Sequence, residues 1–194
     1  MKKTFKIIVS VLILAVLAGS AIMLSACNKQ DENKEKLVVG LECGYIPFNF
    51  TQQTDANGGI KISNADGYAN GYDVIIAKRI ADALGKELVI VKTEWDSLVP
   101  GVSAGTLDLV IAGMSPTAQR RESIDFSNAY YESNLVIVVR KDGAYAQASN
   151  LDDFSGAKIV AQQGTFHEKA LQEQGEQHGI TVGTSMATFP EMTI

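Results

Sequence analysis

Short apolar runs alternate with segments of helical spacing along most of this 194-residue chain. Residues 37–41, 88–91 and 107–112 are rich in aliphatic and β-branched side chains, which is typical of buried strands. Isoleucines recur at helical spacing after Asp73, and a second helix-like segment follows Asp96. Strand, helix, strand, helix, strand is the order that builds a parallel sheet covered by helices. The pattern therefore predicts an α/β fold.

Polar residues and glycines predict where the helices begin and end. Asp73 is expected to cap the first helix, and Gly85 is expected to end it in the left-handed conformation. Either Asp96 or Ser97 can cap the second helix, and Thr117 precedes a short polar helix over residues 118–122.

The carboxy-terminal part of the chain also contains predicted strands and helices. Residues 135–139 are predicted to form a fourth strand, followed by strands at 158–161 and 180–182. Residues 166–174 read as a helix, and residues 185–194 as the start of another. Because a domain that stops within a helix would leave a sheet edge open, we expect the sequence to be truncated at its carboxyl end.

Composition excludes several classes of function. With 22 acidic against 17 basic residues, the chain carries a formal charge of -5, which argues against nucleic-acid binding. Two cysteines exclude a disulfide-rich scaffold and a four-thiolate zinc site. The spacing of His167 and His178 fits no metal site, and no nucleophile motif or phosphate loop is found. We therefore expect no metal, no cofactor and no catalytic residues.

The amino terminus has the layout of a secretory signal. Three lysines precede an apolar stretch over residues 7–24, and Leu-Ser-Ala then leads into Cys27. This ending resembles the lipobox of bacterial lipoproteins, which implies that residues 1–26 are removed and that the Cys27 thiol receives a diacylglycerol. The alternative is a transmembrane anchor, because the apolar stretch is marginally long enough to span a bilayer.

The segment after Cys27 is entirely polar. Residues 28–36 contain no apolar side chain, so residues 27–36 are predicted to be a lipidated, solvated tether that holds the folded part outside the cytoplasmic membrane. If Cys27 is lipidated, Cys43 has no partner for a disulfide in this chain. Cys43 is then expected to pack as a small hydrophobic residue.

Four polar or aromatic segments follow predicted strands. Ligands of open parallel sheets bind beyond the carboxyl ends of the strands, so these segments are expected to meet at one cleft. They are residues 42–48, 94–96, 112–121 and 163–168.

Five ordered motifs carry a resemblance to a known family. They are G-x-E-x-x-Y-x-P-F at 40–48, G-Y-D-V at 71–74, E-W-D-S-L-V-P at 94–100, L-D-L-V-I-A-G-M-S at 107–115 and I-D-F-S at 124–127. Together they resemble the family 3 solute-binding proteins, which bind amino acids for ABC importers. The resemblance implies a two-lobe periplasmic-binding-protein-like fold of type II. Lobe 1 would cover 37–140, and the hinge and an incomplete second lobe would cover 141–194.

The resemblance also implies a ligand site. Tyr45 and Trp95 match the two aromatic residues that sandwich the ligand, although both could instead be core residues. Arg120 matches the arginine that grips the ligand α-carboxylate with its planar fork; without the motif, it would read as a solvated helix arginine like Arg121.

Four further positions complete this expected site. Gly113 and Ser115 match the segment that offers a carbonyl to the α-ammonium and donors to the carboxylate, supplemented by free amides at the helix start after Thr117. Glu42 matches an acid of members that bind cationic amino acids, or it is a surface carboxylate. Thr165 can donate to the carboxylate from the second lobe, although Phe166 and His167 depart from the family pattern there.

The resemblance implies a monomeric, lipid-anchored receptor that captures an amino acid and delivers it to an ABC transporter permease by hinge closure. One hinge connection would lie at residues 139–142. A basic amino acid is the leading candidate ligand, and glutamine or cystine is next. Two alternatives use the same fold: a cyclohexadienyl dehydratase, and the sensor module of a receptor kinase.

Overall fold

A central parallel sheet organises this computed structural model, which describes residues 34–185. The strands are β1 (Lys36–Leu41), β2 (Gly44–Tyr45), β3 (Asn49–Gln52), β4 (Ile60–Lys61), β5 (Tyr68–Asn70), β6 (Glu87–Lys92), β7 (Leu109–Val110), β8 (Lys158–Ile159) and β9 (Thr181–Val182). The helices are α1 (Tyr72–Leu84), α2 (Trp95–Ser103), α3 (Ala118–Arg121) and α4 (Phe166–Gly175), with 3₁₀ turns at Ala56–Gly58, Asp152–Phe154 and Glu176–His178.

Strand β1 lies in the middle of the central sheet. It pairs in parallel with β6 over its whole length and with β7 on its other side, giving the order β6-β1-β7. The predicted α/β fold is thereby confirmed. Strands β2, β3, β5 and β4 form a separate antiparallel sheet, and β8 pairs with β9 in parallel.

Both faces of the central sheet are covered, as the continuous apolar strands require. Val39 and Leu41 point to one face, where they pack with Val74 and Ala77 of α1. The other face holds Leu98 and Leu107. A Cβ at Gly40 would lie 2.5 Å from Leu107 Cδ1, so only glycine lets the α2 side approach β1 so closely.

The structure corrects two predicted caps and confirms two others. Asp73 is not the cap of α1, because Gly71 holds that position and the Asp73 carboxylate turns inward to protein partners. Likewise Glu94, rather than Asp96 or Ser97, precedes α2. Gly85 ends α1 with a left-handed φ of 67°, and the Thr117 hydroxyl caps α3, both as predicted.

The predicted strand at residues 135–139 is wrong. No regular element forms there, and Val138 remains 90% exposed. The physical reason is that a strand needs a ladder partner, and no strand among residues 34–185 pairs with this segment. Only Ile137 packs inward, against the small cluster around Phe154 and Ile180 that supports β8 and β9.

Some predictions fall outside the described residues. They are the signal segment at 1–26, Cys27 and most of the tether, and the helix start expected at 185–194, of which only Ser185 is described. Residues 36–185 belong to one compact unit, and the lobe boundary near residue 140 stays a prediction. Within residues 34–185, every helix is too short or too polar to cross a membrane.

Candidate functional site

The Arg120 guanidinium, which lines the candidate cleft, is held by neutral acceptors. The Thr117 hydroxyl accepts from the Arg120 amide, which fixes the start of α3. The guanidinium donates through Nη1 to the Ser115 carbonyl at 2.8 Å and through Nη2 to the Gly164 carbonyl at 3.0 Å. Burial lowers the pKa of Arg120, and no carboxylate among residues 34–185 forms an ion pair with it. A half-buried cation that meets only carbonyl dipoles suits an anionic ligand group.

Trp95 forms a wall beside this cation. The guanidinium carbon of Arg120 lies 5.1 Å from the centroid of the indole, within cation–π range. The indole Nε1 donates to the Gly164 carbonyl at 3.0 Å. The same ring packs with Leu98 and Leu107, so Trp95 is both part of the core and part of the cleft surface.

Gly164, which lies in the segment after β8, contacts residues from a much earlier part of the chain. Its carbonyl accepts from both Trp95 and Arg120, and its φ of 70° lies in the left-handed region. A Cβ at this position would collide with the Asp96 carboxylate and would lie 3.4 Å from Trp95 Cδ1. The backbone conformation therefore favours glycine, and a larger residue would have to displace the exposed Asp96 carboxylate.

The Thr165 hydroxyl is engaged in capping α4. It accepts from the Glu168 amide at 3.2 Å and donates to the Gln162 carbonyl at 2.8 Å, while the Glu168 carboxylate accepts from the Gly164 amide at 2.8 Å. Because its proton goes to Gln162, Thr165 is not available as the free donor that the sequence suggested. His167, on the first turn of α4, is exposed.

Glu42 follows β1 directly and is half-buried. Gln162 Nε2 donates to Glu42 Oε1 at 2.7 Å. Like the contacts of Gly164, this bond connects the segment after β8 to a much earlier part of the chain. Burial raises the pKa of Glu42; the hydrogen bond from Gln162 opposes this rise, and the nearby acids Glu94 and Asp96 add to it. Glu42 is thus a partly desolvated acid rather than a surface carboxylate.

Tyr45, at the end of β2, lies beside Gly113 in the segment after β7. Tyr45 stacks on Phe48 with ring centroids 5.1 Å apart, and a Cβ at Gly113 would lie 3.6 Å from Tyr45 Cε1. The Gly113 amide donates to the Tyr130 hydroxyl at 2.9 Å, so this amide is not a free donor. Ser115 contributes its carbonyl, which accepts from both Arg120 and the Thr117 amide.

A cleft of about 290 Å³ opens on the Arg120 side of this arrangement. Its lining residues are Trp95, Asp96, Val99, Met114, Gln119, Arg120, Ser123 and Gly164. The structure therefore brings Trp95 and Arg120 together on one surface. Glu42, Tyr45, Gly113, Ser115 and Thr165 are not among the residues that line it.

Two residues that organise the site were missed at the level of sequence. Gln162 directly follows the predicted strand at 158–161, and its place at the carboxyl end of a strand could have drawn attention to it. Tyr130 gives no local signal, because its partners Asp73 and Gly113 lie 57 and 17 residues away. Across residues 34–185, no three His, Cys, Asp or Glu side chains are grouped to hold a metal ion.

Cys43 behaves as the sequence indicated. It is buried and unpaired by any disulfide within the described part of the chain, and burial raises the pKa of its thiol to about 11. Its thiol is therefore protonated at neutral pH and serves as a small packing group.

Comparison with known proteins identifies a family and several relatives that this chain resembles. A family model described as "Bacterial extracellular solute-binding proteins, family 3" matches residues 37–174. An arginine-binding extracellular protein of Bacillus subtilis is 29% identical over 172 residues, which is 87% of this chain and 61% of that protein. The chain thus spans about three-fifths of the length of this relative.

Two solved structures show the same fold. An amino-acid ABC transporter substrate-binding protein from Streptococcus pneumoniae, bound to L-arginine, has a TM-score of 0.69 and 32% identity, covering 81% of this chain and 60% of that one. An ancestral amino-acid-binding protein, a precursor of cyclohexadienyl dehydratase, has a TM-score of 0.66 and 30% identity, covering 80% of this chain and 63% of that one.

Proposed function

Because the chain belongs to family 3 of the bacterial extracellular solute-binding proteins, we propose that it captures a basic amino acid outside the cytoplasmic membrane and delivers it to an ABC importer. The observation that carries this proposal is the set of contacts made by the Arg120 guanidinium. Its half-buried guanidinium stacks on Trp95 and donates only to backbone carbonyls among residues 34–185. A ligand α-carboxylate is the group that would replace the Gly164 carbonyl on that fork.

The choice of a basic ligand depends on the negative charge of Glu42. Glu42 directly follows β1, where burial and, to a smaller extent, the charges of Glu94 and Asp96 raise its pKa. An amino acid with a cationic side chain would place its carboxylate at Arg120 and its side-chain cation near Glu42, with Trp95 and Tyr45 flanking the aliphatic stem. Arginine-binding relatives support this assignment. Arginine leads, followed by lysine and ornithine.

Calorimetric titration of the protein with the twenty common amino acids, ornithine and cystine tests the ligand class. Arginine, lysine or ornithine should bind most tightly, and aspartate and glutamate should not bind. Tight binding of an acidic amino acid with no binding of arginine or lysine would contradict the placement of Glu42. Tight binding of glutamine or cystine alone would retain the amino-acid receptor and reject the cationic ligand.

Delivery to the importer requires its own measurement. The loaded protein should stimulate ATP hydrolysis by its reconstituted ABC transporter, because closed binding proteins dock on the permease. An unloaded sample provides the control. Equal ATPase rates with loaded and unloaded protein would contradict the delivery step.

The membrane anchor is a separate part of the proposal. The Leu-Ser-Ala-Cys sequence supports lipidation at Cys27. Mass spectrometry of the membrane fraction should find a diacylglyceryl group on Cys27 as the first residue, and Cys27→Ser should release the protein from the membrane. An unmodified Cys27 in native membranes would contradict the anchor.

A dehydratase remains the second candidate because of one structural relative. The ancestral protein that precedes cyclohexadienyl dehydratase shares the fold of this chain. Fold alone does not assign activity, and Arg120 suits capture of a carboxylate in either case. Incubation with prephenate and arogenate separates the two functions. We expect no turnover, whereas product formation would establish the enzyme.

A further inference from the structure

A buried carboxylate lies behind the candidate site and is not used by the proposed function. Asp73 in the first turn of α1 is 0% exposed. Burial of a carboxylate without partners is costly, so its contacts must compensate for lost hydration. Asn49 Nδ2 donates to Asp73 Oδ2 at 2.8 Å, and the Tyr130 hydroxyl donates to Asp73 Oδ1 at 2.9 Å. Each carboxylate oxygen therefore has its own donor.

The two partners of Asp73 reach different loops of the site. Asn49 Oδ1 accepts from the Cys43 amide at 2.9 Å, next to Glu42. The Thr51 hydroxyl donates to the Cys43 carbonyl at 2.9 Å. These bonds hold Cys43 at a φ of 56°, a conformation that is uncommon for residues other than glycine.

Tyr130 makes the second connection. Its hydroxyl has one proton, and that proton goes to Asp73, so the oxygen can only accept from the Gly113 amide at 2.9 Å. Burial, reinforced by the charge of Asp73, raises the pKa of Tyr130, which keeps the phenol protonated. The direction of both hydrogen bonds is thereby fixed.

The fixed amide has a consequence for the loop. A trans peptide is planar, so the Ala112 carbonyl points opposite to the Gly113 N–H. Gly113 itself has a φ of 59°, and its Cα lies beside the Tyr45 ring. Holding one N–H therefore sets the orientation of the whole Ala112–Gly113 peptide at the edge of the candidate site.

We propose that Tyr130, oriented by Asp73, is a positioning residue that holds the Ala112–Gly113 peptide in the conformation that binds the ligand head group. The inference rests on the proposed function for its ligand, but its hydrogen bond is measurable without any ligand. Tyr130 acts through Gly113 and makes no contact with the ligand itself.

Site-resolved hydrogen exchange by NMR tests the hydrogen bond directly. In the unaltered protein without ligand, the Gly113 amide should be protected from exchange. Tyr130→Phe keeps the ring and removes the hydroxyl, and it should accelerate Gly113 exchange at least about tenfold. The Val39 amide in β1 reports global opening and should change much less. Tyr131→Phe is the matched control, because Tyr131 is 55% exposed and its ring contacts with Phe48 and Tyr72 survive.

Calorimetry with arginine on the same variants tests the positioning role. Loss of the bond that holds the Gly113 amide in Tyr130→Phe should weaken arginine binding by about 3- to 10-fold. Tyr131→Phe should bind arginine as the unaltered protein does.

Each contrary result has a defined meaning. An unprotected Gly113 amide in the unaltered protein would overturn the inference even if Tyr130→Phe failed to fold. Faster Gly113 exchange with unchanged arginine affinity would also overturn it, since the loop would then not need the bond. Failure of the unaltered protein to bind any amino acid would reject the proposed function instead.

Discussion

The region up to Arg121 and the region from Asp152 onward contribute different chemistry to the candidate site. The first region supplies Arg120 and Trp95, which line the cleft, and Glu42 and Tyr45, which lie outside its lining. The second region supplies the neutral Gly164 carbonyl and the Gln162 amide. Charge recognition should therefore depend on the first region, whereas the second region should contribute neutral hydrogen-bonding groups.

The two regions also differ in how they are supported. The first rests on a three-stranded parallel sheet covered on both faces, whereas the second has the two-residue strands β8 and β9 and a smaller cluster around Phe154. The groups proposed to face the ligand thus lie on the better supported side. Substitutions in each region can show whether this division holds.

Removal of the Arg120 side chain should give the largest effect. Truncating one partner of a desolvated charged pair costs about 2–5 kcal/mol, which corresponds to roughly 30- to 5,000-fold weaker binding. Calorimetry of Arg120→Ala with arginine measures this loss. Arg121→Ala is the control, because Arg121 is exposed and rests on Phe126. Equal losses in the two variants would refute the role of Arg120.

Neutralising Glu42 should come next. A hydrogen bond to a charged group contributes about 1.5–3 kcal/mol, so Glu42→Gln should weaken arginine binding roughly 10- to 150-fold. Binding of a cation requires the ionised carboxylate. Because burial raises the pKa of Glu42, arginine affinity should fall as the pH drops through a range above the ordinary glutamate value.

The Glu42→Gln variant serves as the control for this pH dependence. Its arginine affinity should stay flat over the same pH range, since Arg120 and the ligand guanidinium do not titrate there. If both proteins showed the same pH profile, Glu42 would not be the titrating group.

A pair of glycine variants separates the effect of the contact between the two regions from the effect of backbone strain. Gly164→Ala places a Cβ at a left-handed φ and against the Asp96 carboxylate, whereas Gly156→Ala has a φ of 81° and open space around it. The backbone strain alone is roughly 1–2 kcal/mol in each. Unfolding stability should therefore fall similarly in both, and arginine affinity should fall several-fold only in Gly164→Ala. Unchanged affinity in Gly164→Ala would show that the contact is dispensable.

Loss of the α4 cap should be the smallest effect. Thr165→Ala removes the hydroxyl that accepts from the Glu168 amide and should cost about 1 kcal/mol of unfolding free energy. Thr165→Ser retains the cap and should restore the stability measured by chemical denaturation. Arginine binding should change little in both variants, because the hydroxyl proton is donated to Gln162. A large loss of affinity in Thr165→Ala that Thr165→Ser repairs would instead show direct ligand contact.

The sequence by itself determined the parallel sheet, the helices and part of the cleft lining. Strands β1 and β6 carry continuous apolar runs, and Gly85 and Thr117 end or begin helices by local chemistry. Such signals lie within a few residues of the structure that they predict. The family motifs likewise named Arg120 and Trp95, which the fold brings into contact.

Only the tertiary structure decided which polar groups are already engaged. Asp73 and Tyr130 form their hydrogen bonds with residues that lie far away in the sequence. The Thr165 hydroxyl has several possible partners, and the fold selects the Gln162 carbonyl. The segment at 135–139 shows the same limit, because a strand pattern forms a strand only where a neighbour completes its ladder. Local patterns fix what a side chain can do, and the packed chain selects which partner it meets.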